Sequence, residues 1–197
     1  MEGWFLVAVA YLSGSIPFGL IISKVLGGVD VRRYGSGNIG TANVLRTVGK
    51  TAAVLTLVGD TLKGFLPVFA ATSLRVPEPL FLLTGLAAIA GHNWSIFLRF
   101  SGGKGVATSF GVLLGLFPPL ALIGALIWLL VVLLSRYTSL GALVSAAVIL
   151  LLVFFTSGLS PRFLFVCTLA LLIVFTHREN IQRLLQGTER KVGQRVR

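Results

Sequence analysis

Residues 106–134 read VATSFGVLLGLFPPLALIGALIWLLVVLL, with a proline pair at 118 and 119. How that stretch is counted decides the fold. The run 106–117 is twelve residues, short for a bilayer core of ~30 Å that takes about 20 helical residues. Further apolar runs occupy 4–22, 51–73, 79–98, 119–134, 139–156 and 161–176. Kept separate, the runs make seven spans; merged across the prolines they make fewer, five or six.

Charge separates the two counts, because cytoplasmic loops of membrane proteins collect Lys and Arg. With seven spans, Lys24, Arg32, Arg33, Arg46 and Lys50 share one face with Arg99, Lys104, Arg136 and the basic tail of Arg178, Arg183, Arg190, Lys191, Arg195 and Arg197. Only Arg75 and Arg162 fall on the other face, and Lys63 lies inside the second run. Merging two runs would split the tail from the other basic loops. The expected fold is therefore all-α and polytopic, about seven transmembrane helices with the N-terminus outside and the C-terminus cytoplasmic.

Composition agrees. Of 197 residues, 55% are apolar and 12% charged, against about 25% charged in soluble domains, and the mean hydropathy is +0.94. The whole of 1–197 reads as a single membrane domain. The first run follows Glu2 with no basic start and no small-residue cleavage site, so it reads as a retained helix. The lone Cys167 leaves no cysteine cluster, and the six acidic residues are scattered. No metal or cofactor is expected. The net charge of +11 sits at membrane flanks, so no nucleic-acid partner is expected.

Three polar, glycine-containing clusters all fall on the cytoplasmic side. The first is Gly35-Ser36-Gly37-Asn38-Ile39-Gly40-Thr41-Ala42-Asn43-Val44-Leu45-Arg46. Its glycines permit tight turns that present N–H groups to an anion, with Ser36, Asn38, Thr41 and Asn43 as neutral donors. Asn43 and Arg46 share a face if the segment winds into a helix. The plainer reading is a flexible loop with helix caps. The second cluster runs from Gly91-His92-Asn93-Trp94 through Arg99 to Ser101-Gly102-Gly103-Lys104-Gly105. A glycine turn opening a helix aims N–H groups at an anion, and Lys104 supplies charge. Gly105 stands where a Walker A loop needs Ser or Thr, so nucleotide hydrolysis is not supported. The alternatives are membrane-flanking anchors for Arg99 and Lys104 and a packing histidine for His92. The third cluster, Thr176-His177-Arg178-Glu179-Asn180, puts an imidazole and an amide on one helix face. From Arg183 onward the pattern reads as an interfacial amphipathic helix with basic anchors. Within the second run, Asp60 and Lys63 are spaced to pair. Trp4, Trp94 and Trp128 read as interface or packing aromatics, and Ser15 with Gly19 as a close helix-packing pair.

Together, Gly35-Ser36-Gly37-Asn38-x-Gly40-x-x-Asn43-x-x-Arg46, Gly91-His92-Asn93-Trp94 with Gly102-Gly103-Lys104-Gly105, and His177-Arg178-x-Asn180 resemble the motifs of the bacterial membrane acyl-phosphate:glycerol-3-phosphate acyltransferases, the PlsY family. Order and spacing agree over nearly the whole chain. The resemblance implies transfer of a fatty acyl group from acyl phosphate to the 1-hydroxyl of glycerol 3-phosphate, the first step of phosphatidic acid synthesis. It implies a multi-pass protein of the bacterial inner membrane with a cytoplasm-facing site. Its partners would be the two substrates, membrane lipid and a functionally coupled enzyme that makes the acyl phosphate. The resemblance assigns essential roles to Ser36, Arg46, the glycine turn, His177 and Asn180.

Ser36, Arg46, Lys104, His177 and Asn180 are therefore the expected catalytic set. Gly35, Gly37, Asn38, Gly40, Thr41, Asn43, His92, Asn93, Ser101, Gly102 and Gly103 form the substrate- and phosphate-binding set. The His-x4-Asp dyad of commoner acyltransferases is absent: Phe97 and Gln182 stand five after His92 and His177. An acyl phosphate is a mixed anhydride with a good leaving group, so direct attack without an acyl-enzyme is chemically sufficient. Two rivals are a small organic-phosphate transporter and a metal-dependent lipid phosphotransferase. The first is disfavoured by charge gathered at one face, the second by having only Asp30 and Asp60 as aspartates.

Overall fold

The computed structural model describes residues 2–194; Arg195 and Arg197 of the expected basic tail lie outside them. The described residues are helical, with one isolated β-bridge between Ser95 and Ser101. The helices are α1 (Glu2–Gly14), α2 (Phe18–Gly27), α3 (Thr41–Thr47), α4 (Lys50–Ser73), α5 (Glu78–Asn93), α6 (Val106–Leu116), α7 (Pro118–Ser135), α8 (Thr138–Ser157), α9 (Pro161–Thr176) and α10 (Arg178–Leu185).

The breaks follow from local chemistry. Pro17 cannot continue the first run, which divides into α1 and α2. Leu116 ends α6, and Pro118 and Pro119 open α7, where the missing N–H groups cost nothing. The seven apolar runs thus correspond to α1 with α2, then α4, α5, α6, α7, α8 and α9. The third run is shorter than its apolar length suggests: α5 stops at Asn93 and a single 3₁₀ turn covers Ile96–Leu98. Four segments are long and apolar enough to cross a membrane alone: Gly3–Gly27, Lys50–Ser73, Pro118–Ser135 and Thr138–Ser157. A fifth is the pair α9 and α10, bent by 61°. At eleven residues, α6 is short, as its sequence suggested.

Glycines set the closest helix crossings, as expected where lipid supplies no hydrophobic drive for association. In α1 and α5, Gly14 abuts the Ala88 carbonyl and Gly91 abuts the Tyr11 carbonyl. In α4 and α6, Gly64 meets the Thr108 carbonyl and Gly111 the Thr61 carbonyl. Gly19 presses on the Ile39 carbonyl of the first motif and on Thr56 of α4, while Ser15 lies against Gly91 of α5, so Gly19 also seats that loop. The core lies between α5, α6, α8 and α9, around Ile89, Val112, Ile149, Val153, Phe165 and Leu169. Large side chains such as Leu126, Leu133 and Phe155 stay exposed, as lipid-facing positions do. The polar loops gather at the ends of α2, α5 and α9, all beside one cavity.

Candidate active site

A cavity of about 520 Å³ opens between α3, α6, α7, α8 and α9, with the chain after α10 across one end. Its walls differ sharply. Ser36, Asn38, Thr41, Arg46, Lys104, His177, Asn180, Arg183, Glu189 and Arg190 line one end. Phe110, Leu113, Ala121, Ala125, Trp128, Ala146, Ile149, Val166 and Leu169 line the remainder. Trp128 is therefore part of the cavity wall, with its indole N–H donated to the Thr138 carbonyl at 3.2 Å.

The first motif is organised by Asn43, which is only 2% exposed. Its amide nitrogen donates to the carbonyls of Val31, Tyr34 and Asn38 at 3.1, 3.0 and 2.9 Å. Its oxygen accepts the Ser36 N–H at 2.9 Å. That amide is saturated within the loop, so Asn43 shapes the phosphate-directed turn and does not supply it with a donor. Gly35 lies at φ +62 directly against the Asn43 amide oxygen, leaving no room for a Cβ, and Gly37 turns at φ +72. Asn38 in turn accepts the Gly40 N–H at 2.8 Å. The free groups facing the cavity are then the Ser36 side chain, Thr41 Oγ1 and Arg46, whose Nε is buried without a partner. Another Arg46 nitrogen donates to the Arg190 carbonyl at 3.3 Å.

The second motif divides in two. Lys104 reaches the cavity, and its carbonyl accepts from Thr176 Oγ1 at 3.2 Å, fixing it to the end of α9. Gly102 and Gly103 do not line the cavity; both pack on His92, and the Gly103 N–H is donated to the His92 carbonyl at 3.0 Å. The expected anion-facing use of that N–H is thus not what the structure contains. Ser101 is exposed and Asn93 is buried behind Gly105, neither of them on the cavity wall. The segment is moored to α1 by Ser95 Oγ, which donates to the Ser15 carbonyl at 2.6 Å, and by Tyr11 Oη, which donates to the Trp94 carbonyl at 2.9 Å.

The third motif sits where α9 bends into α10. His177 Nδ1 lies 2.8 Å from the Ile173 carbonyl; a carbonyl only accepts, so Nδ1 carries the proton and Nε2 keeps its lone pair. Burial, reinforced by the Lys104 charge, pushes this imidazole down to about 4, so it is neutral at pH 7. Asn180 accepts a hydrogen bond from Lys104 Nζ and donates its own N–H to Glu189 Oε1 at 2.6 Å. Lys104 is lowered to about 8, chiefly by burial and then by the nearby Arg183 charge. Burial also lowers Arg46.

Sequence reading missed three members of this cluster. Glu189 accepts from Ser139 Oγ at 3.0 Å and from Arg183 Nε at 2.9 Å as well as from Asn180. Arg183 is therefore a wall of the cavity and not simply a membrane anchor. The chain beyond α10 returns across the bundle, where the Val192 N–H donates to the Arg136 carbonyl at 2.8 Å and Arg136 Nη2 donates to the Val192 carbonyl at 3.0 Å. An acid set between Arg183 and Arg190 in the basic tail was the available signal for Glu189; Ser139 carried none. Among the described residues no three His, Cys, Asp or Glu side chains converge as a metal site would require. The cavity can hold an anion beside Arg46, Lys104 and Arg183 and a long apolar group beyond it.

Comparison with known proteins gives one consistent picture. A family model described as glycerol-3-phosphate acyltransferase matches residues 4–187. A glycerol-3-phosphate acyltransferase of Trichlorobacter lovleyi is 51% identical over 191 residues, covering 96% of this chain and 97% of the relative. The glycerol-3-phosphate acyltransferase 2 of Moorella thermoacetica is 50% identical over 194 residues, covering 98% and 99%. Among solved structures, the glycerol 3-phosphate form of PlsY, an integral membrane glycerol 3-phosphate acyltransferase, is similar with a TM-score of 0.92 and 41% identity, covering 98% of this chain and 96% of that one. The lysophosphatidic acid form superposes with a TM-score of 0.89 at the same 41% identity, covering 97% and 95%.

Proposed function

The chain belongs to the glycerol-3-phosphate acyltransferase family, and from that premise we propose that its cavity transfers a fatty acyl group from an acyl phosphate to the 1-hydroxyl of glycerol 3-phosphate. The products are lysophosphatidic acid and inorganic phosphate. The observation that carries this reading is the division of one cavity into a cationic end and an apolar remainder. Ser139 and Ile149, both on its wall, are ten positions apart on α8, which is about 15 Å of helix and matches half of a ~30 Å bilayer core. Such a site fits one acyl chain with a phosphate at its head.

In this reading Arg46, Lys104 and Arg183 hold the phosphates of donor and acceptor and offset their charge. Ser36 orients the donor, within a turn shaped by Gly35, Gly37, Asn38, Gly40 and Asn43. Asn180 fixes the Lys104 ammonium. The acceptor hydroxyl oxygen attacks the acyl carbon, the carbonyl–oxygen bond to phosphate breaks, and phosphate departs as the leaving group. The hydroxyl proton goes to neutral His177 Nε2 or to the departing phosphate. Holding both substrates in attack geometry can itself supply ~7–11 kcal/mol.

The topology belongs to the same proposal. Seven crossings, with α1 and α2 forming the first and α6 a short fourth, put the N-terminus outside and α10 inside. The cationic end then faces the cytoplasm of a bacterial inner membrane, where the soluble acceptor is found. An enzyme that makes acyl phosphate would deliver the donor from the same side.

The test is phosphate release and lysophosphatidic acid formation by the purified, detergent-solubilised protein given palmitoyl phosphate and glycerol 3-phosphate in chelator. Equal amounts of both products are expected. Turnover with palmitoyl-CoA alone would overturn the donor assignment. Uptake of glycerol 3-phosphate into liposomes without chemical change would replace the reaction by transport.

A further inference from the structure

Asp60 and Lys63 of α4 and His92 of α5 form a buried polar cluster; Asp60 and His92 reach the cavity wall, but the proposed transfer step gives neither a role. Their relative exposures are 2%, 5% and 3%. Lys63 Nζ lies 2.8 Å from Asp60 Oδ1, donates to the Ile16 carbonyl at 2.8 Å, and stands 5.8 Å from the Phe18 ring centre. That Ile16 carbonyl, where α1 gives way to α2, also accepts the Phe18 N–H at 3.1 Å. His92 Nδ1 faces the same Asp60 oxygen at 3.6 Å, longer than a hydrogen bond, and this nitrogen has no hydrogen-bond partner.

The opposite side of His92 belongs to the glycine turn. Its carbonyl accepts the Gly103 N–H at 3.0 Å, a Cβ at Gly102 would strike that carbonyl oxygen, and a Cβ at Gly103 would strike the imidazole Nε2. Lys104 is the next residue. The absence of side chains at 102 and 103 lets the turn lie flat on the histidine, so the imidazole's orientation and the path of the turn are mutually determined. Taking charges out of water inside a bundle costs several kcal/mol per ion, and apolar packing of equal volume often does as well or better for stability. Ionisable groups at such depth are therefore functional by default.

We propose that Asp60 and His92 act as a positioning pair: the carboxylate orients the imidazole, the imidazole sets the Gly102-Gly103 turn, and the turn places the Lys104 ammonium. Lys63 pairs with Asp60 and ties it to the α1–α2 break. The pair acts through Lys104. This rests on the reading of Lys104 as a phosphate ligand.

The proposal predicts coupling. His92→Gln and Asp60→Asn should each lower kcat for acyl transfer by about 10-fold or more, and combining either with Lys104→Ala should give no further loss beyond Lys104→Ala alone, the non-additivity of groups acting through one contact. Losses that multiply would overturn it, as would a His92→Gln enzyme with wild-type kcat. The neutral double variant Asp60→Asn with Lys63→Met removes the buried ions together. Its kcat should fall out of proportion to the change in melting temperature that follows loss of the Lys63 bond to the Ile16 carbonyl, whereas a merely structural tie would lose both in step.

A second readout needs no turnover: the rate at which an amine-reactive acetylating reagent labels Lys104, measured by mass spectrometry in detergent. His92→Gln should change that rate severalfold and leave labelling of Lys24 and Lys50 unchanged. An unchanged Lys104 rate overturns the positioning pair. A wild-type protein that fails to use acyl phosphate but shows the labelling shift would overturn the proposed reaction alone.

Discussion

Replacing Gly124 with Leu should convert the enzyme into one that favours short donors. Gly124 faces the cavity opposite Ile149, and a Cβ there would rest 3.6 and 3.8 Å from the Ile149 Cγ1 and Cδ1, ordinary contact. The rest of a leucine side chain would then project into the apolar channel. Because Ile149 is ten positions beyond Ser139 on α8, the obstruction stands about 15 Å from the cationic end. Three extended backbone bonds span about 3.6 Å, or about 1.2 Å per bond, so it meets the acyl chain near its twelfth carbon. Palmitoyl phosphate would lose burial of about four methylenes at about 0.8 kcal/mol each, roughly 3 kcal/mol, which is about 10²-fold in kcat/KM. Decanoyl phosphate would lose little. Measuring kcat/KM for both donors in wild type and variant under one detergent condition removes micelle partitioning from the ratio. Equal losses for the two donors, or none for either, would refute the placement of the chain along α7 and α8. Gly124→Ala, which adds only the tolerated Cβ, should leave the ratio near wild type.

Other consequences follow from the same cavity. With Lys104 lowered to about 8, its ammonium is present below that pH and lost above it; affinity for glycerol 3-phosphate should fall as pH rises through 8, and a Lys104→Arg variant, charged throughout, should show no such fall in a binding titration. His177→Ala should lower kcat by about 10²–10⁴ if Nε2 takes the hydroxyl proton, and a near-normal rate would assign that proton to the donor's phosphate. Gly111→Ala puts a methyl against the Thr61 carbonyl and should cost about 1–3 kcal/mol, read as a lowered melting temperature in detergent.

Much of the fold was legible because the bilayer imposes a length on each apolar run, and the described helices α4, α7, α8 and α9 fall within a few residues of theirs. What hydropathy could not show is where a run breaks. Pro17 marks one break locally, but the stop of α5 at Asn93 comes with a His92 carbonyl that the Gly103 N–H reaches from the later glycine turn to use. The site was legible in the same partial way. Glycine, serine and charged residues on one face marked the anion end, yet their roles depended on who bonds whom. Asn43 spends its whole amide on the loop, while Gly102 and Gly103 serve His92.

The apolar half of the cavity had no sequence signature at all, since a residue facing a chain-shaped channel and one facing lipid are drawn from the same alphabet. Only packing distinguishes Ile149, buried at the channel, from Leu151, 56% exposed two residues later. Glu189 shows the converse difficulty. Its position in a basic tail predicts solvent exposure, but three donors from α8 and α10 hold its side chain to 6% exposure. Those bonds tie the returning chain to the helices that carry Asn180 and Ser139, and Arg46 adds a fourth tie through the Arg190 carbonyl. The cationic end is therefore assembled from the first motif, the glycine turn, the bend after α9 and the tail together. No single motif could have specified it, because each contributes charge or donors that the others must orient.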